Sequence, residues 1–210
     1  KDNFNEQELK DLLDNYSEEF ATAYTLEDVA DENWNAEWEK NFDPVTIGQY
    51  AAIRAHFHAP ITSVQHEIVI TPKMSFGTGH HATTYMMIDY MQDLDKEGKL
   101  AGKKILDFGT GTGVLAILAE KAGAASVTAL DNDDWSSDNA AENIQNNQCT
   151  KIVLEKADAL HLQQQFDVLL ANINKNVLLL NMAEIRQHLL GDGVVVMSGL
   201  LEGDRVDIEA

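Results

Sequence analysis

Seven residues, Asp107-Phe108-Gly109-Thr110-Gly111-Thr112-Gly113, join an apolar strand pattern to an apolar helix pattern, and they leave few folds open. Lys104 to Phe108 reads as the strand and Val114 to Ala122 as the helix. The glycines let the backbone turn sharply and let a ligand approach it closely, which singles out Gly109 and Gly111 as candidate binding positions. A tight strand-to-helix connection with no ligand would use the same residues, so the triplet does not decide by itself.

The chain around this loop keeps the same rhythm. Ile68 to Ile70 is a short apolar run, followed by the loop Phe76-Gly77-Thr78-Gly79 and a helix from Thr83 to Met91. Beyond the first loop come a strand at Ser126 to Leu130, a helix at Trp135 to Asn146 and a strand at Ile152 to Glu155. Phe166 to Ile173 is a strand too apolar to be half-exposed, Asn176 to Leu190 a helix, and Gly193 to Met197 a final buried strand. Such alternation predicts an α/β fold, a doubly wound, mostly parallel sheet with crossover helices. Upstream, Leu9, Leu12, Leu13 and Tyr16 form a helical pattern in an acidic stretch. A second helix over Leu26 to Phe42 would set Trp34, Trp38 and Phe42 on one stripe, more naturally a face for burial than a ligand site. Asp43-Pro44 ends it; Ile47 to Ile53 reads as a strand and His56 to Pro60 as a loop.

Two acids say which ligand the glycine loop expects. Asp131 closes the second strand of the alternating region, where a carboxylate accepts the ribose hydroxyls of an adenosine. A dinucleotide site wants Gly-x-Gly-x-x-Gly and a pyrophosphate at the helix start, whereas here the third glycine comes one residue early. Asp107, pointed into the mouth of the loop, would repel a pyrophosphate and suit the cationic amino group of a methionine moiety. The expected cofactor is therefore S-adenosylmethionine rather than a nicotinamide. Asp158, after the third strand, is placed to accept from an adenine amino group. Asn172, in Ala171-Asn172-Ile173-Asn174, can accept a hydrogen bond from an incoming amine and aim its lone pair at a sulfonium methyl. The competing role for Asn172 is to cap the following helix. In Ser75 to Thr84, Phe76 and the hydroxyls of Thr83 and Thr84 suit a cofactor-covering loop. No metal is expected at His80-His81, since neighbouring histidines point apart and no Cys or acid completes a ligand spacing.

Charge bears on partners. With 15 basic and 35 acidic residues the net charge is −20, which repels phosphate backbones, and no basic patch offsets it. Direct nucleic-acid binding is not expected; a basic protein partner is, unless the acidity serves only solubility. No run of about 18 apolar residues predicts a membrane span. The start, Lys1-Asp2-Asn3-Phe4, lacks Met and a secretory stretch and reads as the beginning of a fragment. A single cysteine, Cys149, fits a reducing cytoplasm.

Four blocks, in order, resemble the ribosomal-protein methyltransferases of the PrmA type, which modify the large-subunit stalk protein "L-eleven". They are Trp34-Asn35-Ala36-Glu37-Trp38 with Phe42-Asp43-Pro44, then Phe76 to Thr84, Asp107 to Ala116, and Ala171-Asn172-Ile173. The Phe-Gly-Thr-Gly-His loop is the specific one; the glycine run is shared by many methyltransferases. The resemblance implies a Rossmann-like class I methyltransferase domain over 65–210, a linker helix and connector over 26–64, and a remnant of an N-terminal substrate-recognition domain over 1–25. It implies trimethylation of lysine and N-terminal amino groups on a basic ribosomal protein in the cytoplasm, with S-adenosylmethionine as the methyl source. By matching positions it makes Thr84, Gly109, Asp131 and Asn172 cofactor contacts, with Asn172 also the catalytic orienter of the amine. The family's flexible linker, which Pro44 and the loop after it could permit, would present different amines in turn. Thr110 and Thr112 stand where relatives often carry Cys or Ser. The N-terminal region is short, and the chain stops soon after the fifth strand of a fold that normally adds two more, so a truncated chain is expected. The alternatives are a methyltransferase of the same architecture acting on a small molecule or glutamine, and a non-catalytic module. Asn172-Ile173-Asn174-Lys175 lacks the paired prolines of glutamine and adenine methyltransferases, and the intact glycines, both acids and Asn172 argue against decay.

Overall fold

The computed structural model describes residues 5–16, 42–73, 76–157, 160 and 162–208, and the chain divides into two compact units, residues 1–41 and 42–210. In the first unit Glu6–Tyr16 form helix α1, where Lys10 reaches Glu6 one turn back at 2.7 Å. The Trp34 and Trp38 stripe lies outside the described residues.

The second unit holds two sheets. Val45–Ile47 (β1), Ala51–Ala55 (β2) and His66–Ile70 (β3) make the smaller, in the order β1-β2-β3, with β1 antiparallel to β2 and β2 parallel to β3. The single strand expected over 47–53 is thus two. Gly48, at φ +53°, turns the chain so that Val45 faces Ile53 across a hairpin. This sheet straddles residue 65, taking strands from both sides of it.

The larger sheet is parallel throughout. It contains Lys104–Phe108 (β4), Ser126–Asp131 (β5), Ile152–Lys156 (β6), Phe166–Asn172 (β7) and Leu189–Ser198 (β8), in the order β6-β5-β4-β7-β8. The helices are Ala82–Lys96 (α2), Val114–Lys121 (α3), Asp134–Asn146 (α4), Lys175–Leu180 (α5), Met182–His188 (α6) and Arg205–Ile208 (α7). Side chains alternate across β4, so Ile105 joins one core layer with Ile117, Met87, Ile53 and Ile68, while Leu106 and Phe108 join the other with Leu130, Phe166 and Ile185. Strand order reverses between β4 and β7, which opens a crevice beyond their carboxyl ends.

Two further expectations needed correction. The helix predicted over 176–190 breaks at Asn181, whose side-chain amide donates to the Val177 carbonyl at 2.9 Å, a local bond that competes with the helix. The last strand, expected over Gly193 to Met197 and buried, is longer as β8 and pairs, among the described residues, with β7 alone; of its ten residues only Val196 and Ser198 are buried.

The two sheets are joined by asparagines. Asn139, Asn143 and Asn147 recur every four residues on and just past α4, and their amides satisfy the open edge of β3 and the residue after it. Asn147 accepts from the Val69 N–H at 2.9 Å and donates to its carbonyl at 2.6 Å. Asn143 accepts from the Thr71 N–H at 2.7 Å, and Asn139 donates to the Thr71 carbonyl at 3.0 Å. Asn143 also donates to the Thr112 carbonyl at 2.8 Å, so one buried amide ties the small sheet to the glycine loop.

Candidate active site

β4 runs straight into the glycine loop, and Gly109 and Gly111 hold φ of +77° and +55°. A Cβ at Gly109 would overlap the Ile173 side chain, and one at Gly111 the Phe76 carbonyl. The first close approaches these glycines permit are therefore to other parts of the protein. The 76–79 loop is pinned over them: the Thr112 N–H donates to the Phe76 carbonyl at 2.9 Å and its hydroxyl to the Gly77 carbonyl at 2.8 Å.

Between this loop and the ends of β4, β5 and β7 lies a cleft of about 560 Å³. Phe76, Thr83, Gly109, Gly111, Asp131 and Asn172 all line it, so six of the residues chosen from sequence meet in one place. Phe76 is half-exposed on the rim, its ring 5.0 Å from that of His81. Thr84 is buried behind Asn172. Asp158 lies outside the described residues.

Asp107 is a correction to the expected geometry. It does not point into the loop's mouth but lies fully buried beneath it. Its Oδ2 accepts from the Thr110 hydroxyl at 2.7 Å and from the Ala116 N–H at 3.1 Å. Burial pushes the carboxyl up from its ordinary 3.8 to about 6, against the pull of those two bonds and with the Asp131 charge adding to the rise.

Asp131 is where the cleft's acid sits. Its Oδ2 accepts from the Gly111 N–H at 2.8 Å and its Oδ1 from the Asp133 N–H at 3.1 Å, which fixes the carboxylate and leaves lone pairs on both oxygens. Opposite it, the helix-capping role falls to Asn174, whose Oδ1 accepts from the Val177 N–H at 3.1 Å. Asn172 is free of that task. Its Nδ2 donates to the Thr84 hydroxyl at 3.1 Å, and its Oδ1 accepts from the Ser198 hydroxyl at 2.6 Å.

The two histidines diverge. His81 caps α2 by accepting from the Thr83 N–H at Nδ1, and its ring forms part of the cleft wall. His80 turns away: its Nε2 donates to the Asp43 carbonyl at 2.9 Å, its Nδ1 meets the Thr78 hydroxyl at 3.2 Å, and its ring centroid lies 4.6 Å from that of Phe42. Among the described residues no group of three or more His, Cys, Asp and Glu is arranged to hold a metal, and no described helix is long and apolar enough to cross a membrane. Sequence reasoning missed His81 as a wall, along with Ile173, Gly199 and Ser136 beside it. Ser198 gave no signal of its own, because its link to Asn172 depends on strand register.

A parallel sheet ordered this way, with a glycine loop, a fixed carboxylate at the end of the second of its strands and an asparagine at the end of the fourth, defines a class I methyltransferase fold. The ribosomal protein L11 methylase of Lactobacillus delbrueckii subsp. bulgaricus shares it, with a TM-score of 0.70 and 31% sequence identity over 80% of this chain and 86% of that one. Residues 2–210 match the family described as ribosomal protein L11 methyltransferase (PrmA), and the chain belongs to that family. The ribosomal protein L11 methyltransferase of Phocaeicola vulgatus is 41% identical over 200 residues, covering 93% of this chain and 70% of the relative. That of Porphyromonas gingivalis is 44% identical over 184 residues, covering 86% and 62%.

Proposed function

We propose that this chain is an S-adenosylmethionine-dependent protein N-methyltransferase acting on lysine and N-terminal amino groups of the large-subunit ribosomal protein L11. The names of its relatives support the substrate, and the acidic chain, at −20, suits a basic one. The cleft's volume of about 560 Å³ falls within the roughly 300–1,000 Å³ of small-molecule sites. Its residues suit the cofactor: Asp131 keeps lone pairs for two ribose hydroxyls, Gly109 and Gly111 offer backbone, and Phe76 and Thr83 stand over the opening. Asp158 is retained in this reading as the acceptor for the adenine amino group. In the same reading 65–210 is the catalytic domain, 26–64 the linker and connector, and 1–25 belong to a substrate-recognition domain.

S-adenosylmethionine, when bound, supplies an electrophilic methyl group on a sulfonium. The protein's task is to hold a neutral amine in line with it and to keep water away. Asn172 does the first: the lone pair its Oδ1 keeps after accepting from Ser198 takes an amine N–H, which turns the amine's own lone pair toward the methyl. The Phe76 loop serves the second.

The observation that carries this reading is Asn172, held between Thr84 and Ser198 while Asn174 takes the helix cap. The full chain, given labelled S-adenosylmethionine and ribosomal protein L11, should label lysine and N-terminal amines. Asn172→Ala should lower kcat on the order of 10²-fold, the cost of a misplaced reactant. Cofactor binding without any label transfer by the unaltered protein would sink the reading.

A further inference from the structure

We propose that Ser198 is a positioning residue for the acceptor amine, acting through Asn172; the inference rests on the role given to Asn172 above. In the parallel pair β7–β8, Asn172 and Ser198 are the last residues in register. Neighbours in register leave the sheet on the same side, so the two side chains stand next to each other at the cleft end of the sheet. The Ser198 hydroxyl donates to Asn172 Oδ1 at 2.6 Å, and Ser198 is only 9% exposed, so water competes poorly for that bond.

A carboxamide has two acceptor lone pairs on oxygen and two N–H donors. In Asn172, Ser198 takes one lone pair and Thr84, from the first turn of α2, takes one N–H. One lone pair and one N–H are left. Thr84 alone could not say which end of the amide faces the cleft, because a hydroxyl both donates and accepts and the terminal torsion of Asn is broad and roughly two-fold. With Ser198 as a second anchor on a different element, turning the amide over would require both hydroxyls to reverse together. The backbone beyond Ser198 is held as well. Gly199 lies at φ +78°, so close to Ile173 that a Cβ there would stand 2.6 Å from the Ile173 carbonyl oxygen. Ser198 and Asn172 are thus followed by two residues, Gly199 and Ile173, that press against each other, which keeps the hydroxyl beside the amide. Ser198 anchors the Oδ1 edge of the amide, and with it the lone pair that Asn172 turns toward the amine.

The test is a double-mutant cycle on the full chain with ribosomal protein L11 as substrate, reading kcat, KM and the cofactor Kd separately. Ser198→Ala should lower kcat about tenfold and leave the cofactor Kd within about twofold, and in an Asn172→Ala background it should cost nothing more. A kcat loss of the same factor in both backgrounds would overturn the role, as would weakened cofactor binding at unchanged kcat, since either places the effect outside the amide. Undiminished kcat in Asn172→Ala alone would instead remove the reading on which the inference stands. A purely structural loss would repeat in both backgrounds and so cannot imitate the expected result.

Discussion

Asp107 keeps one carboxylate oxygen bonded and buries the other with no hydrogen-bond partner among the described residues. The arrangement disfavours its charged form, hence a folded pKa of about 6 against an ordinary 3.8. A raised acid takes up its proton in the native state before the unfolded chain does. Stability from this residue is therefore gained as pH falls through about 6 and levels off below 3.8, where both states are protonated. Asp107→Asn removes the titration. Melting both proteins from pH 8 to pH 5 should show the variant gaining most at the alkaline end, with the difference narrowing through about pH 6. A difference that stayed constant with pH would contradict the buried charge. Sequence pattern already held part of this. Asp107 is two residues from Ile105, on the face that α3 covers, so strand alternation puts it under the helix start rather than in the loop's mouth. Charge complementarity to a ligand was the more inviting reading, and it ignored which way the strand faces.

The strands of the large sheet could be read from sequence because apolar runs between turn residues are local signals; Lys104–Phe108 has the bounds predicted for it. What joins one element to another could not. A helix bearing asparagines every four residues carries no sign of what its amides bond, and here they close the edge of a strand about seventy positions earlier. Asn143 is the critical one, buried and bonded to both Thr71 and Thr112. Asn143→Ala strands the part-buried Thr71 N–H and the buried Thr112 carbonyl and should cost about 2–4 kcal/mol in chemical denaturation. Gln145→Ala, exposed on the same helix, should stay within about 0.5 kcal/mol. The break at Asn181 belongs to the same class of event, an amide bonding locally where the apolar pattern ran on.

At the scale of the molecule, charge and cleft act over different distances. A basic protein approaching a chain of −20 is drawn by the whole field, whereas a cofactor in the cleft meets fixed local groups. Raising salt from about 0.05 to 0.5 M should lower kcat/KM for ribosomal protein L11 by on the order of tenfold, as screening shortens that reach. The cofactor Kd should change by less than about threefold over the same range. Equal salt sensitivity of the two would argue against capture by charge. The composition announced this much, but the cleft's construction depended on strand register and on where the 76–84 loop lands. His80 shows what that landing entails. Its ring grips the Asp43 carbonyl on one side and Thr78 on the other, with the Phe42 ring set against it in a T. The loop and residues 42–43, just before β1, are therefore tied together directly. A pull applied at Phe42 or Asp43 reaches the loop at the cleft's rim through the His80 imidazole.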